Sequence, residues 1–365
     1  MVYRVIGLMS GSSLDGLDIV FAEFNENGGK WTYEILEADC YAYSQHWIQR
    51  LKTATGLNAL DYQLLHIDYG HYLGQQVAKF IEEKKLHYKV ALIASHGHTT
   101  FHFPAKKMTA QLGDGAAIAS QLQLPIVTDL RAMDVAFGGQ GAPIVPIGEK
   151  LLLGDFDYFL NLGGIANISL NADRYIAYDV CAANRVLNMF ANEQGKEYDR
   201  DGEMAKQGVV HQALLEKLDK LDYYQQPYPK SLANEFGTDE VYPLVKKEKL
   251  SANDELRTYV EHIAIQISNA AALLKNSKVE SRNSRLLATG GGALNGFLVE
   301  RLKVQLANLN IELVVPDKNL VNYKEALIMA LIGVLRWREE YNVFSSVTGA
   351  TRDTINGALW LGQEA

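Results

Sequence analysis

The sequence has almost no cysteine, no surplus of basic residues and no long apolar run, and each shortage excludes a class of protein. Cys40 and Cys181 are its 2 cysteines, too few and too far apart for a disulfide framework or a cysteine-based metal site, so a reducing cytoplasm is expected. With 35 Lys and Arg against 43 Asp and Glu, the formal charge of −8 argues against a nucleic-acid partner, whose affinity comes mainly from Lys and Arg. Arg4 and the Ser10-Gly11-Ser12-Ser13 break leave no signal-peptide core, and no apolar run approaches a membrane span. The expected location is therefore the cytoplasm, with no membrane partner.

What remains is ordinary globular composition, 48% hydrophobic and 21% charged over 365 residues, enough for about two domains with substantial cores. Their expected extents are 1–142 and 143–344, with 345–365 packing back on the first.

The stretch Gly7-Leu8-Met9-Ser10-Gly11-Ser12-Ser13-Leu14-Asp15-Gly16-Leu17-Asp18 lies between two strand patterns, Tyr3 to Leu8 and Ile19 to Phe24, and predicts a hairpin. Gly11 and Gly16 permit positive φ, Ser10, Ser12 and Ser13 supply hydroxyls, and the backbone N–H groups of such a loop can cradle an anion. Asp15 and Asp18 can face phosphate only across a cation. The loop thus suggests a metal-bound nucleotide phosphate, with Mg²⁺ near Asp15 or Asp18. It has neither the P-loop lysine nor the Rossmann glycine spacing, and an ordinary polar turn is the alternative.

A third strand is expected over Trp31 to Tyr43 and a helix over Asp61 to Lys85. The buried strand Val90 to Ala94 runs into a loop, Ser95-His96-Gly97-His98-Thr99-Thr100, placed where α/β folds present ligand contacts. His96, His98 and His102 could suggest a metal, but no carboxylate or cysteine completes a set nearby, which favours hydrogen-bonding roles. Asp114 either caps the helix Ala116 to Leu122 or reaches into the cleft. A short strand, Pro125 to Thr128, leads to Arg131, and Gly138 to Pro143 reads as a crossover into a helix Ile144 to Leu153.

The second half opens like the first. Asp157 to Leu170, with Asn161, Gly163, Gly164 and Asn167, is again strand, glycine turn, strand, as if a duplication placed one phosphate loop on each wall of a cleft. Tyr175 to Tyr178 is a strand ending at Asp179, where a carboxylate could deprotonate a water or hydroxyl or simply cap the helix Arg185 to Asn192. Tyr198 to Gly202 is a charged turn, Tyr223 to Gly237 an aperiodic loop, and Ser251 to Leu274 a long helix. Thr289-Gly290-Gly291-Gly292-Ala293-Leu294-Asn295 joins the strand Arg285 to Ala288 to a helix. Three glycines leave room for a flat group on the backbone while the helix start favours anionic oxygens, a combination that suits an adenosine moiety. Ile311 to Val315 and a helix Asn322 to Glu340, carrying Glu325, precede the tail.

Taken in order, Met9-Ser-Gly-Ser-Ser-Leu-Asp-Gly-Leu-Asp18, Gly138-Gly-Gln-Gly-Ala-Pro143, Asn161-Leu-Gly-Gly-Ile-Ala-Asn167, Tyr198-Asp-Arg-Asp-Gly202, Gly290-Gly-Gly-Ala-Leu-Asn295 and Glu325-Ala326 resemble the anhydro-N-acetylmuramic acid kinases, within the hexokinase and actin superfamily. The resemblance implies a two-domain actin-like ATPase (ribonuclease H-like) α/β fold, duplicated mixed sheets flanked by helices with a central cleft. It also implies ATP and Mg²⁺ as cofactors and a sugar as substrate, with a homodimer as the expected assembly. The implied reaction opens 1,6-anhydro-N-acetylmuramic acid and phosphorylates O6 to give N-acetylmuramic acid 6-phosphate for cell-wall recycling, with Asp179 as the base that activates water. By the same resemblance His96, Gly97, His98, Thr99, Arg131, Asn184 and Glu325 meet the sugar. Gly11, Ser12, Ser13, Leu14, Asp15, Gly16, Leu17, Asp18, Asn161, Gly163, Gly164, Asn167, Gly290, Gly291, Gly292 and Asn295 meet ATP.

Three departures from the family pattern stand out: Ser12 for threonine, His98 for glutamine, and Cys181-Ala182-Ala183 where glycine-proline-glycine precedes Asn184. The alternatives are a kinase of the same fold acting on another sugar, and a nucleotide-responsive scaffold. The lack of an appended client-binding segment or obvious linker counts against the scaffold.

Overall fold

A computed structural model describes residues 1–11, 13–172, 175–228, 230–233, 235–275 and 284–363. Its strands are β1 (Val2–Ser10), β2 (Gly16–Asn27), β3 (Lys30–Ala42), β4 (Leu92–Phe103), β5 (Met108–Leu112), β6 (Ile126–Thr128), β7 (Tyr158–Leu162), β8 (Ile165–Leu170), β9 (Ile176–Ala182), β10 (Ser284–Thr289), β11 (Ile311–Val314) and β12 (Ala358–Trp360). They form two sheets, one in each of two compact units: residues 1–153 with 323–365, and residues 154–322.

In the first unit the order is β12-β6-β4-β1-β2-β3. β1, β2 and β3 pair antiparallel, while β4 and β6 add in parallel to the other side of β1. In the second unit the order is β11-β10-β7-β8-β9, again three antiparallel strands followed by two parallel ones. The repeated order is the duplication that the two hairpins suggested, expressed as topology.

Each sheet buries an alternating apolar face. Ile6, Leu8, Leu17 and Ile19 pack under Leu65, Tyr69, Leu73, Val77 and Phe80 of the helix Ala59–Glu83, which Asn58 caps by accepting from Asp61 N–H at 3.0 Å. The sheet's other face receives the helix Lys318–Trp337. A Cβ on Gly7 would lie 2.0 Å from the Ala326 carbonyl, and one on Gly333 2.5 Å from Ala94 Cβ. In the second unit Leu160, Leu162, Ile168, Val180 and Leu286 pack with Tyr259, Ile263 and Ile267 of the helix Ala252–Lys275.

Several sequence expectations are corrected. Residues 95–100 are strand rather than loop, because β5, unrecognised in the sequence, hydrogen-bonds along β4 from His98 to Phe103. Asp179 lies inside β9 and not at its end, because pairing with β8 continues through Cys181 and Ala182. The helix Pro146–Leu152, expected to open the second half, belongs with the first unit: Gly148 packs on Ile328, and Lys324 Nζ meets Glu149 Oε1 at 2.8 Å. The unit limits accordingly fall at 153/154 and 322/323, and a helix Gln45–Thr53 precedes the expected one. Among the described residues, no helix is long and apolar enough to cross a membrane.

Candidate active site

The expected site residues fall into two groups, one per unit. In the first, Ser12 lies outside the described residues, and the rest of the loop differs from expectation. Neither Gly11 nor Gly16 takes a positive φ; Leu14 does, at 58°. Gly16 is required for closeness instead, since a Cβ there would sit 2.6 Å from Cys40 Sγ and 2.9 Å from the Tyr41 carbonyl on β3. Leu17 is a core residue. Asp15 Oδ1 accepts from Ser13 Oγ at 2.8 Å and from Gly16 N–H at 3.0 Å, so this carboxylate braces the turn.

Asp18 differs from Asp15. Burial, opposed by a hydrogen bond from the Cys40 thiol and reinforced by Asp15 and Glu325, pushes its carboxyl up to about 6. Burial and Asp18 together push Cys40 up to about 12, which keeps it a thiol. Among the described residues no cation offsets an anionic Asp18, and that is the environment a phosphate-bound divalent ion would relieve. Among the described residues no cluster of three or more His, Cys, Asp or Glu could hold a metal alone, so such an ion would need phosphate oxygens as further ligands.

Nearby, Arg131 Nε donates to His96 Nε2 at 2.8 Å and Arg131 Nη1 to the Gly141 carbonyl at 2.5 Å. Burial lowers Arg131 to about 10 against the opposing pull of Glu325 and Asp134, and it stays charged at neutral pH. Burial, with Arg131 adding to it, holds His96 near 3, a neutral ring whose Nδ1 donates to the Gly97 carbonyl. Gly97 takes φ +70° at the bulge where β4 slips by one residue against β1, and a Cβ there would lie 2.4 Å from the Leu112 carbonyl. Glu325 is half-buried, and its charge acts on both Asp18 and Arg131. Thr99 is exposed and accepts from Gln111 Nε2 at 3.3 Å. His98 Nδ1 lies 3.2 Å from Ser10 Oγ and His102 Nδ1 3.0 Å from Thr109 Oγ1. Ser10 is turned towards Tyr43 and His98, away from any anion role, and Asp114 is a helix cap, accepting from Ala117 N–H at 2.7 Å.

In the second unit the ladder aligns Thr289, Asn161, Asn167 and Asp179 as direct neighbours across four strands. Side chains paired in this way share one face, and this face is opposite the one that buries Leu160 and Leu162. Asp179 Oδ2 accepts from Leu232 N–H at 2.9 Å, while its backbone carbonyl accepts from Tyr223 Oη at 2.5 Å. Burial raises its carboxyl against that N–H, so one oxygen is anchored and the group is more basic than usual. The Cys181-Ala182-Ala183 departure is absorbed by packing: all three are buried, and Tyr259 Oη donates to the Ala182 carbonyl.

The turn at Gly163 and Gly164 is clasped by the next helix, whose Ala183, Asn184 and Arg185 N–H groups donate to the two glycine carbonyls. Gly290 takes φ +82°, and a Cβ there would sit 2.5 Å from Asn161 Oδ1; Gly291 is open. Together with Asn184, Leu187, Tyr198, Arg200 and Asn295, Gly291 and Gly292 line a cavity of about 440 Å³, within the range of small-ligand sites. The helix start beside it is not free for phosphate. Asn295 Oδ1 accepts from Leu298 N–H and Asp201 Oδ1 from Gly296 N–H, so the cavity suits an uncharged nucleoside portion better than phosphate oxygens.

Sequence reasoning missed Leu187 and Arg200 as cavity walls and Arg185 beside Gly164. The motif Tyr198-Asp-Arg-Asp-Gly202 was the available signal. Its Asp199 accepts from Met204 and Ala205 N–H groups, which fixes the turn that presents Arg200.

A profile of the family described as anhydro-N-acetylmuramic acid kinase matches residues 3–362. Proteins of that name from Sulfurovum sp. (strain NBC37-1) and Aliivibrio fischeri (strain ATCC 700601 / ES114) are each 32% identical, covering 98% of this chain and 99% of theirs. Among solved structures, the (R)-2-hydroxyglutaryl-CoA dehydratase component A of Acidaminococcus fermentans is similar at 14% identity and TM-score 0.47, over 91% of this chain and 97% of that one. The hexokinase from Schistosoma mansoni complexed with glucose has 11% identity and TM-score 0.37, over 90% and 85%.

Proposed function

The chain belongs to the anhydro-N-acetylmuramic acid kinase family, and we propose that it converts 1,6-anhydro-N-acetylmuramic acid, ATP and water to N-acetylmuramic acid 6-phosphate and ADP, a step of cell-wall recycling. The observation that carries the reading is Asp179: a carboxylate with one oxygen anchored by Leu232 N–H, made more basic by burial, aligned with Asn161 and Asn167. In this role Asp179 takes a proton from water as the water oxygen bonds the anomeric carbon and the C1–O6 bond breaks. O6 then takes the γ-phosphoryl group, and ADP leaves.

The glycine-lined cavity of the second unit takes the nucleoside, and the turns at Gly11 to Gly16 and at Gly163 and Gly164 take phosphates. His96, Gly97, His98, Thr99, Arg131 and Glu325 contact the sugar; Asn184 lines the nucleoside cavity. Asp18, rather than the turn-bracing Asp15, would hold Mg²⁺, which when bound neutralises phosphate charge. The same reading takes the working protein as a cytoplasmic homodimer, which sedimentation tests. The decisive experiment supplies MgATP and the anhydrosugar in ¹⁸O-water. The expected product carries ¹⁸O at C1 and phosphate at O6; no product, or an unchanged rate for Asp179→Asn, rejects the reading.

A further inference from the structure

Four buried side chains of the first unit form one hydrogen-bonded line. The Tyr69 and Tyr43 hydroxyls lie 2.6 Å apart, Tyr43 Oη donates to Ser10 Oγ at 2.8 Å, and Ser10 Oγ lies 3.2 Å from His98 Nδ1. The line exists because β1 and β4 pair Ser10 with His98 just past the bulge at Gly97.

Its polarity follows from counting hydrogens, since each hydroxyl has one. Tyr43 gives its hydrogen to Ser10, so Tyr69 is the donor to Tyr43. Ser10 then has its own hydrogen to place: the Tyr69 hydroxyl also lies near it, but among the described residues His98 Nδ1, at 3.2 Å, is the acceptor that meets hydrogen-bond geometry. An inverted contact, with Nδ1–H donating to Ser10, would leave that buried hydrogen no well-placed acceptor. Nδ1 is therefore the bare nitrogen, and burial, which lowers His98 to about 4, keeps the ring neutral. The single ring hydrogen is on Nε2, and no described residue hydrogen-bonds to it.

We infer that Ser10, Tyr43 and Tyr69 are positioning residues that lock His98 as its Nε2–H tautomer, so that at this nitrogen it offers the sugar one uncharged donor, which an acceptor oxygen of the substrate must meet. The lock stands on geometry alone; its use on the sugar rests on the functional reading above. Glutamine, which the family pattern has at this place, carries a donor whatever its surroundings. A histidine supplies one at a given nitrogen only when its other nitrogen is assigned.

The test uses full-length protein with ¹⁵N-labelled histidine. In the ligand-free wild type the His98 spectrum should show unprotonated Nδ1 and protonated Nε2, and Ser10→Ala should give a mixture of tautomers. In steady-state kinetics Ser10→Ala should raise KM for the anhydrosugar about 10-fold, the worth of one hydrogen bond, with kcat and the KM for ATP within about twofold. Placing His98→Gln in the Ser10→Ala background should recover most of that KM. Tyr43→Phe, which keeps the ring, should shift tautomer and KM in the same direction. A protonated Nδ1 in the wild type overturns the lock, as does an unchanged tautomer in both variants. An unchanged KM overturns its use in recognition. The spectrum needs no substrate, so a wild type that shows the lock but phosphorylates no anhydrosugar upholds the lock and rejects the functional reading.

Discussion

Arg131 Nε donates to His96 Nε2 at 2.8 Å, so a charged guanidinium is held by the lone pair of a neutral imidazole. The arrangement works only while His96 stays unprotonated. Its folded value near 3 lies below the ordinary 6.5, so as pH falls from 6.5 the unfolded chain binds a proton that the folded chain refuses. Stability should be full above pH 6.5 and decline from there towards about 3. His96→Asn should flatten that decline while lowering stability at pH 7 by ~1–3 kcal/mol through the lost contact, as read from urea midpoints against pH.

Asp18 has the opposite sign. Its folded value of about 6 exceeds 3.8, so ionising it in the ligand-free fold is unfavourable; that penalty is absent below 3.8, grows with pH and is complete above about 6. Asp18→Asn should therefore stabilise the ligand-free protein at pH 7, by at most ~3 kcal/mol, and leave it unchanged at pH 3. The same variant should weaken Mg²⁺-dependent nucleotide binding, measured by calorimetry with and without the metal.

For Asp179, burial raises the carboxyl against the Leu232 N–H, so turnover should fall as pH drops through a value above the usual 3.8. Asp179→Asn should lower kcat by about 10²–10⁴-fold with the KM for ATP little changed, read by ADP release.

The neighbours Gly290 and Gly291 should respond differently. Gly290→Ala combines φ +82° with a Cβ 2.5 Å from Asn161 Oδ1 and should destabilise the fold by ~1–3 kcal/mol. Gly291→Ala has space for its Cβ on the cavity wall, so the urea midpoint should hold while nucleotide affinity drops.

Much of the fold was legible because its strands alternate and its helices are amphipathic, which are local properties. β5 is not legible in sequence because Met108 to Leu112 is short and follows a run that itself reads as loop. Asp179 reads as a strand end in sequence because Val180, Cys181 and Ala182 resemble a helix approach as readily as a strand. Gly16 looked like a turn glycine, yet its role is to let β3 approach, a constraint imposed by residues more than twenty positions away.

By itself the sequence determined the two hairpins, the triple-glycine turn, the acidic candidates and the family. Only the tertiary structure decided which carboxylate braces a turn and which is raised by burial, that Asn295 and Asp201 occupy a helix start expected to be open, and that Ser10 serves His98. Residue type and spacing specify what a side chain can do. Its partners, and hence its charge and the direction of its hydrogen bonds, depend on strand register and burial, which are set by contacts distant in the chain.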